Sequence, residues 1–223
     1  MEKEKIISMK RVWIIGAGKF GRRAALSLGR GGKRALIIVD KDKEKIEGLN
    51  GVTMIQDGVD CLVENLHKDT KDWIVPAVPF QLVYEWIRRK LTPAFSAVPV
   101  EIEPAWQAAL PNCILGGRGQ AFVSNADFLC PEDCPEPKGY CTYTGLPRPR
   151  IMYRFLAEWG RRRFETMVIQ SRQLAPGMGG FPAKDMFAVL DHIRACQDLH
   201  RQFMLATACS CHGVINLFEL IAS

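Results

Sequence analysis

The first hundred residues alternate short, continuously apolar runs with amphipathic stretches. RVWII (11–15), ALIIVD (35–40), VTMIQ (52–56) and DWIVPAVP (72–79) are rich in β-branched residues and too short for helices, so they read as strands. Pro76 marks the end of the fourth. Between them, a helix from about Lys19 to Arg30 is broken by Gly31 and Gly32, and KDKEKIEGL, GVDCLVENL and QLVYEWIRRKL supply further helices. In the last of these, Leu82, Val83, Trp86 and Ile87 recur at helical spacing. AFSAVPV (94–100) reads as a fifth strand. Strands alternating with helices imply βαβ units and a parallel sheet, and unbroken apolar strands imply burial on both faces. The expected class of this half is therefore α/β, a doubly wound parallel sheet spanning residues 1–100.

Residues 101–223 read differently. Prolines crowd CPEDCPEPKGYCTYTGLPRP, which excludes a regular helix or central strand there. RIMYRFLAEWGRR then reads as a helix, ETMVIQSRQL as a strand and APGMGGFP as a glycine-rich turn. AKDMFAVLDHIRACQDLHRQFMLATA (183–208) carries one long helical pattern with Asp185 near its start. This cysteine- and arginine-rich region is expected to be an α+β extension, either adding strands to the first sheet or standing apart from it.

Composition narrows the class without naming a function. Apolar residues make up 48% and charged residues 24%, as in a globular protein with a core. No apolar run approaches the roughly 20 residues of a membrane span, and MEKEKIISMKR lacks the apolar region of a secretory signal. The cytoplasm is the default location. The net charge is +6. Its arginine excess lies in Arg148, Arg150, Arg154, Arg161, Arg162, Arg163 and Arg172. Such a set suits an anionic substrate or partner, or simply a solvated helix face. No nucleic-acid-binding motif accompanies it, so nucleic acid is not expected.

Gly16-Ala17-Gly18-Lys19-Phe20-Gly21 follows a strand and opens a helix, the setting that the G-x-G-x-x-G fingerprint requires. The first glycine permits the turn, the second lets backbone approach a pyrophosphate, and the third lets helix and strand pack. Asp40 ends the second strand, roughly 20 residues on, where a carboxylate can bind an adenosine ribose. It favours NAD(H) over a 2′-phosphorylated cofactor, and neighbouring Lys41 softens that preference. These residues, with IIVDKDKEKIEGL and VTMIQDGVDCLVENL, make residues 10–75 resemble the TrkA-N (RCK-type) NAD-binding domain. The resemblance implies a Rossmann fold, an adenine dinucleotide, Asp57 near the adenine edge, and often a homodimer. DWIVPAVPFQ is similar instead to the fourth strand of dehydrogenases related to saccharopine dehydrogenase, where such a turn passes near the nicotinamide. The second half resembles no family.

Eight cysteines in a cytoplasmic chain do not read as a disulfide framework. Cys130, Cys134 and Cys141 fall as C-x3-C-x6-C in the proline-rich loop, and Cys211, Cys209 or His212 of the C-terminal CSCHG, or Cys113, could supply a fourth ligand for zinc or an iron–sulfur cluster. Reduced structural cysteines and a redox dithiol are the alternatives. His212 and Lys184 are the candidate acid–base groups, while His67, His192 and His200 stand alone in helical patterns. The expected function is an NAD(H)-binding oxidoreductase with a thiolate-bound metal or iron–sulfur centre. The alternative is a non-catalytic NAD(H)- or redox-sensing module.

Overall fold

The computed structural model describes residues 11–30, 34–137, 139–196 and 201–222. His200, the Gly31-Gly32 break and residues 1–10 lie outside them. The strands are β1 (Arg11–Ile15), β2 (Ala35–Asp40), β3 (Val52–Ile55), β4 (Trp73–Pro76), β5 (Phe95–Pro99), β6 (Ile114–Leu115), β7 (Gln120–Ser124), β8 (Glu165–Gln170), β9 (Arg172–Ala175), β10 (Met178–Pro182), β11 (Gln202–Ala208) and β12 (His212–Ala222). The helices, numbered in chain order, are α1 (Lys19–Gly29), α2 (Lys43–Ile46), α3 (Gly58–Asn65), α4 (Leu82–Leu91), α5 (Pro104–Ala108), α6 (Met152–Arg161) and α7 (Ala183–Ala195).

The chain is mixed α/β, and the described residues form two six-stranded sheets. The first runs β3-β2-β1-β4-β10-β9, with its first four strands parallel and β10 antiparallel to β4. The second runs β6-β7-β12-β11-β8, and β5 pairs with β12 beside that path. The expected purely parallel sheet ending near residue 100 is thus corrected twice. AFSAVPV leaves the first sheet for the second, because its partner is the C-terminal strand. In exchange, β9 and β10 extend the first sheet from the second half.

Three other readings change. Residues 202–208, read as the end of a long helix, form β11, since α7 stops at Ala195. ETMVIQSRQL is two strands in different sheets, parted at Ser171. The glycine-rich turn continues into β10, where Gly180 lies so close to β4 that a Cβ would stand 2.7 Å from the Ile74 carbonyl oxygen.

Period-two alternation sends each strand's side chains into different cores. Trp13 and Ile15 of β1 join Ile37, Val39, Trp86, Phe187, Phe203 and Phe218, whereas Val12 and Ile14 join Ala24, Leu28 and Ile46 under α1 and α2. Helix α7 touches β10 of the first sheet and β8 of the second, so helices fill the space between the sheets. A third core sits on the other face of the second sheet under α6, around Met152, Leu156 and Met204. Asp72, only 2% exposed, is fully engaged by Arg11 and by Trp13 Nε1 at 2.8 Å. Phe218 stacks on Phe203 at 5.3 Å between centroids and meets Tyr84 at the same distance, binding α4 to the second sheet. Phe218→Ala is expected to destabilise the protein by about 3–5 kcal/mol, read as a lower urea midpoint with an unchanged slope.

Candidate functional site

The glycine loop is built from backbone constraints. Gly16 lies at φ +94, where a Cβ would stand 2.5 Å from the Ala77 carbonyl oxygen. A Cβ on Gly21 would sit 1.9 Å from the Gly16 carbonyl oxygen, so only glycine lets α1 pack against the turn. Gly18 differs, because a Cβ there would meet nothing within 4 Å. Its space is open. Asp40 orders the loop by accepting the Ala17 amide at 2.7 Å and the Asp42 amide at 2.9 Å. Asp57 accepts the Val59 and Asp60 amides and caps α3, while Lys41 is exposed. Lys19 pairs with Glu132 at 2.5 Å, and Arg23 Nη2 donates to the Glu132 carbonyl at 2.5 Å. The first turn of α1 therefore grips the proline-rich loop.

Beyond the ends of β1 and β4, a cavity of about 780 Å³ opens between the halves of the chain. Phe20, Val78 and Phe80 line it from the glycine-loop side, and Phe122 and Ser124 from the second sheet. Cys130, Cys134, Cys209, Cys211 and His212 also face it. In open α/β sheets, ligands settle outside the carboxyl ends of the strands, the side on which this cavity opens.

The thiols reach this wall on two supports. The turn joining β11 to β12 carries Cys209, Cys211 and His212, and Ala208 pairs with Gly213 at its base. The loop between β7 and α6 carries Cys130, Cys134 and Cys141. The loop is pinned where Gln173 Nε2 donates to the Cys134 carbonyl at 2.6 Å and where the Ser210 amide donates to the Glu136 carboxylate at 2.8 Å. Glu136 itself has the left-handed φ of +44.

Cys130 Sγ lies 3.3 Å from His212 Nε2, Cys134 Sγ 3.4 Å from Thr142 Oγ1, and Arg148 Nε donates to Cys211 Sγ at 3.0 Å. Burial pushes the Cys209 thiol up to about 12, while the amides of Cys211 and His212 donate to its sulfur at 3.3 Å. Burial also lowers the affinity of His212 for a proton, which favours its neutral imidazole. Burial, and then the neighbouring thiols of Cys134, Cys211 and Cys141, raise Cys130. Amide and hydroxyl hydrogen bonds from Thr144 lower Cys141.

Of the residues expected to act together, the structure assembles the glycine loop with Asp40, and Cys130, Cys134 and Cys211 with His212. Lys184 is exposed on the first turn of α7 and does not line the cavity. His192 pairs with Glu165 at 2.6 Å. The arginines do not share one anion site. Arg150 lies over Phe155, Arg162 meets Glu158, Arg163 lies over Trp159, and Arg172 meets Asp185. Sequence reasoning missed Glu132, Gln173 and the cavity's aromatic wall, whose partners are distant in the chain. The CPED stretch gave the one available hint, an acid flanked by two thiols. No described helix is long and apolar enough to cross a membrane.

The family described as "AF_1314_C: Uncharacterized protein, C-terminal domain" matches residues 83–221, which include the thiol-bearing segments and exclude the glycine loop. A relative from Archaeoglobus fulgidus, described as an uncharacterized protein, is 27% identical over 234 residues, covering 92% of this chain and 98% of that protein. No solved structure matches.

The two helix-opening glycines separate by their surroundings. Gly21→Ala is expected to cost about 1–3 kcal/mol through overpacking, whereas Gly18→Ala stays within about 0.5 kcal/mol of the parent protein. Chemical denaturation of both variants checks the contrast.

Proposed function

The chain belongs to the AF_1314_C family, and from the cavity joining its thiols to a glycine loop we propose that it is an NAD(H)-binding oxidoreductase. One observation carries the reading. Gly18 leaves open space at the N-cap of a helix that follows a parallel strand, and Phe20 of the same loop lines a cavity that also carries thiols and an imidazole. We read the parallel β3-β2-β1-β4 portion as a Rossmann-type unit, in keeping with the TrkA-N resemblance.

The residues present suit the cofactor. No side chain caps α1 at Gly18, so its first amides would be available to a pyrophosphate, and Asp40 keeps lone pairs for ribose hydroxyls beyond the two amides it holds. When bound, the nicotinamide supplies hydride transfer. Val78, Pro79 and Phe80, following β4, give its side of the cavity an apolar wall. His212, exposed at the start of β12 on the opposite wall, is a group able to take or return a substrate proton at Nε2.

A sensing role is the second reading. Glu132 favours it, because the carboxylate that Lys19 and Arg23 hold at the glycine loop belongs to the loop carrying Cys130 and Cys134.

Titration with NADH, followed by its fluorescence, tests the binding. Saturable binding by the parent chain is expected. Gly18→Val should keep the parent unfolding midpoint and lose at least about tenfold in affinity, or 1.4 kcal/mol. Absence of binding by the parent chain overturns the proposal. Bound NADH that no artificial electron acceptor oxidises leaves the sensor reading in place of the enzyme.

A further inference from the structure

We propose that Cys130 is a nucleophilic thiol, with His212 as its base, and that it adds to uncharged, apolar aldehydes in the cavity between the two halves of the chain. The choice of aldehyde rests on the oxidoreductase reading, whereas the addition itself needs no cofactor.

The meeting of a thiol and an imidazole comes first. Cys130 stands in the proline-rich loop and His212 at the start of β12, 82 residues away. Cys130 Sγ nevertheless lies 3.3 Å from His212 Nε2, and both residues line the cavity. A nucleophile and a base within hydrogen-bond reach are the arrangement that covalent catalysis uses. On the other side of the ring, Nδ1 lies 3.8 Å from Cys209 Sγ. A hydrogen on Nδ1 can donate to that sulfur, and Nε2 then keeps its lone pair for the Cys130 proton. Cys134 and Cys211 rest elsewhere, on Thr142 and under Arg148. Among the described residues, no group of three or more His, Cys, Asp or Glu is placed to hold a metal. A thiol–imidazole pair needs none.

The walls select the substrate. Phe20, Phe80, Ile114, Phe122 and Leu129 are exposed apolar side chains that line the cavity, and such patches mark ligand-binding grooves. No Lys or Arg stands among the described residues of the lining, whereas Glu132 and Glu136 do. A carboxylate or phosphate on the substrate would meet like charge there, so its body is uncharged. Thr207 also lines the cavity, and its buried Oγ1 has no hydrogen-bond partner among the described residues. It leaves a hydroxyl that a carbonyl oxygen could satisfy.

The step balances without an oxidant. Burial and the neighbouring thiols keep Cys130 protonated, so the imidazole takes its proton as the sulfur attacks. A bond forms between Sγ and the carbonyl carbon, the C=O π bond breaks, and the proton passes through His212 Nε2 to the oxygen. The product is a hemithioacetal whose carbon keeps its hydrogen. That hydrogen is the one an oxidoreductase removes as hydride, which favours an aldehyde over an ester or amide.

The test adds benzaldehyde, labelled with carbon-13 at its carbonyl, to the full reduced chain without NAD(H). A tetrahedral-carbon NMR signal that saturates at one adduct per chain is expected. Benzaldehyde should protect Cys130 alone from iodoacetamide, read by peptide mapping. His212→Gln should slow iodoacetamide labelling of Cys130 at least about tenfold, while Cys196→Ser leaves it unchanged. 4-Carboxybenzaldehyde should bind at least about tenfold more weakly than benzaldehyde. Absence of the tetrahedral signal, protection of a different thiol, or undiminished labelling in His212→Gln overturns the proposal. Equal binding of the two aldehydes overturns the uncharged substrate class. The signal and the protection are read on the parent chain, so misfolding of a variant cannot decide the result. NADH binding without an adduct removes the nucleophile alone, and an adduct without NADH binding removes the redox reading alone.

Discussion

The backbone groups of β12 are satisfied on one side by β11 and on the other by β7 and then β5. This ladder fixes the positions of four segments scattered from Phe95 to Ala222. It also fixes the cavity, because the His212–Gly213 end of β12 is where the ladder stops and the thiol-bearing turn begins. On the opposite edge of β11, β8 runs parallel, and its end leads through Ser171 into β9 of the other sheet. Buried backbone left unpaired is costly, so a slip in this ladder would displace both the turn and the sheet-to-sheet crossing.

The parts legible in sequence are those whose partners are close in the chain. β1 to β4 and the helices between them were readable because each apolar run pairs with a neighbouring run, and the glycine loop is entirely local. Sheet assignment was not readable in the same way. AFSAVPV has the composition of any buried strand, and nothing within it says that its partner lies past residue 217. Residues 202–208 misled for a related reason. Met, Leu and Ala favour helices, but pairing with β8 and β12 overrides a propensity of tenths of a kcal/mol per residue.

The site divides along the same line. Cysteine density in CPEDCPEPKGYC and CSCHG was visible, and three-dimensional proximity joins the two clusters. What the density could not show is what each sulfur rests on, since Arg148 reaches Cys211 across the fold and Cys130 meets a histidine 82 residues away. Asp40 and Asp57 were legible as acids at the ends of the second and third apolar runs. What the structure gives both is a structural task, since each accepts two backbone amides.

The exchange of strands between the two sheets bears on how the chain acquires its shape. β4 receives its outer neighbour only when residues 178–182 arrive, and β5 receives β12 only when residues 218–222 do. Contacts so distant in sequence are slow to form and leave an open strand edge in the meantime. A ribosome-bound chain that has extruded only its first hundred residues therefore carries the glycine loop on an unfinished sheet. Cutting near residue 100 yields two fragments that each lack a strand the other holds.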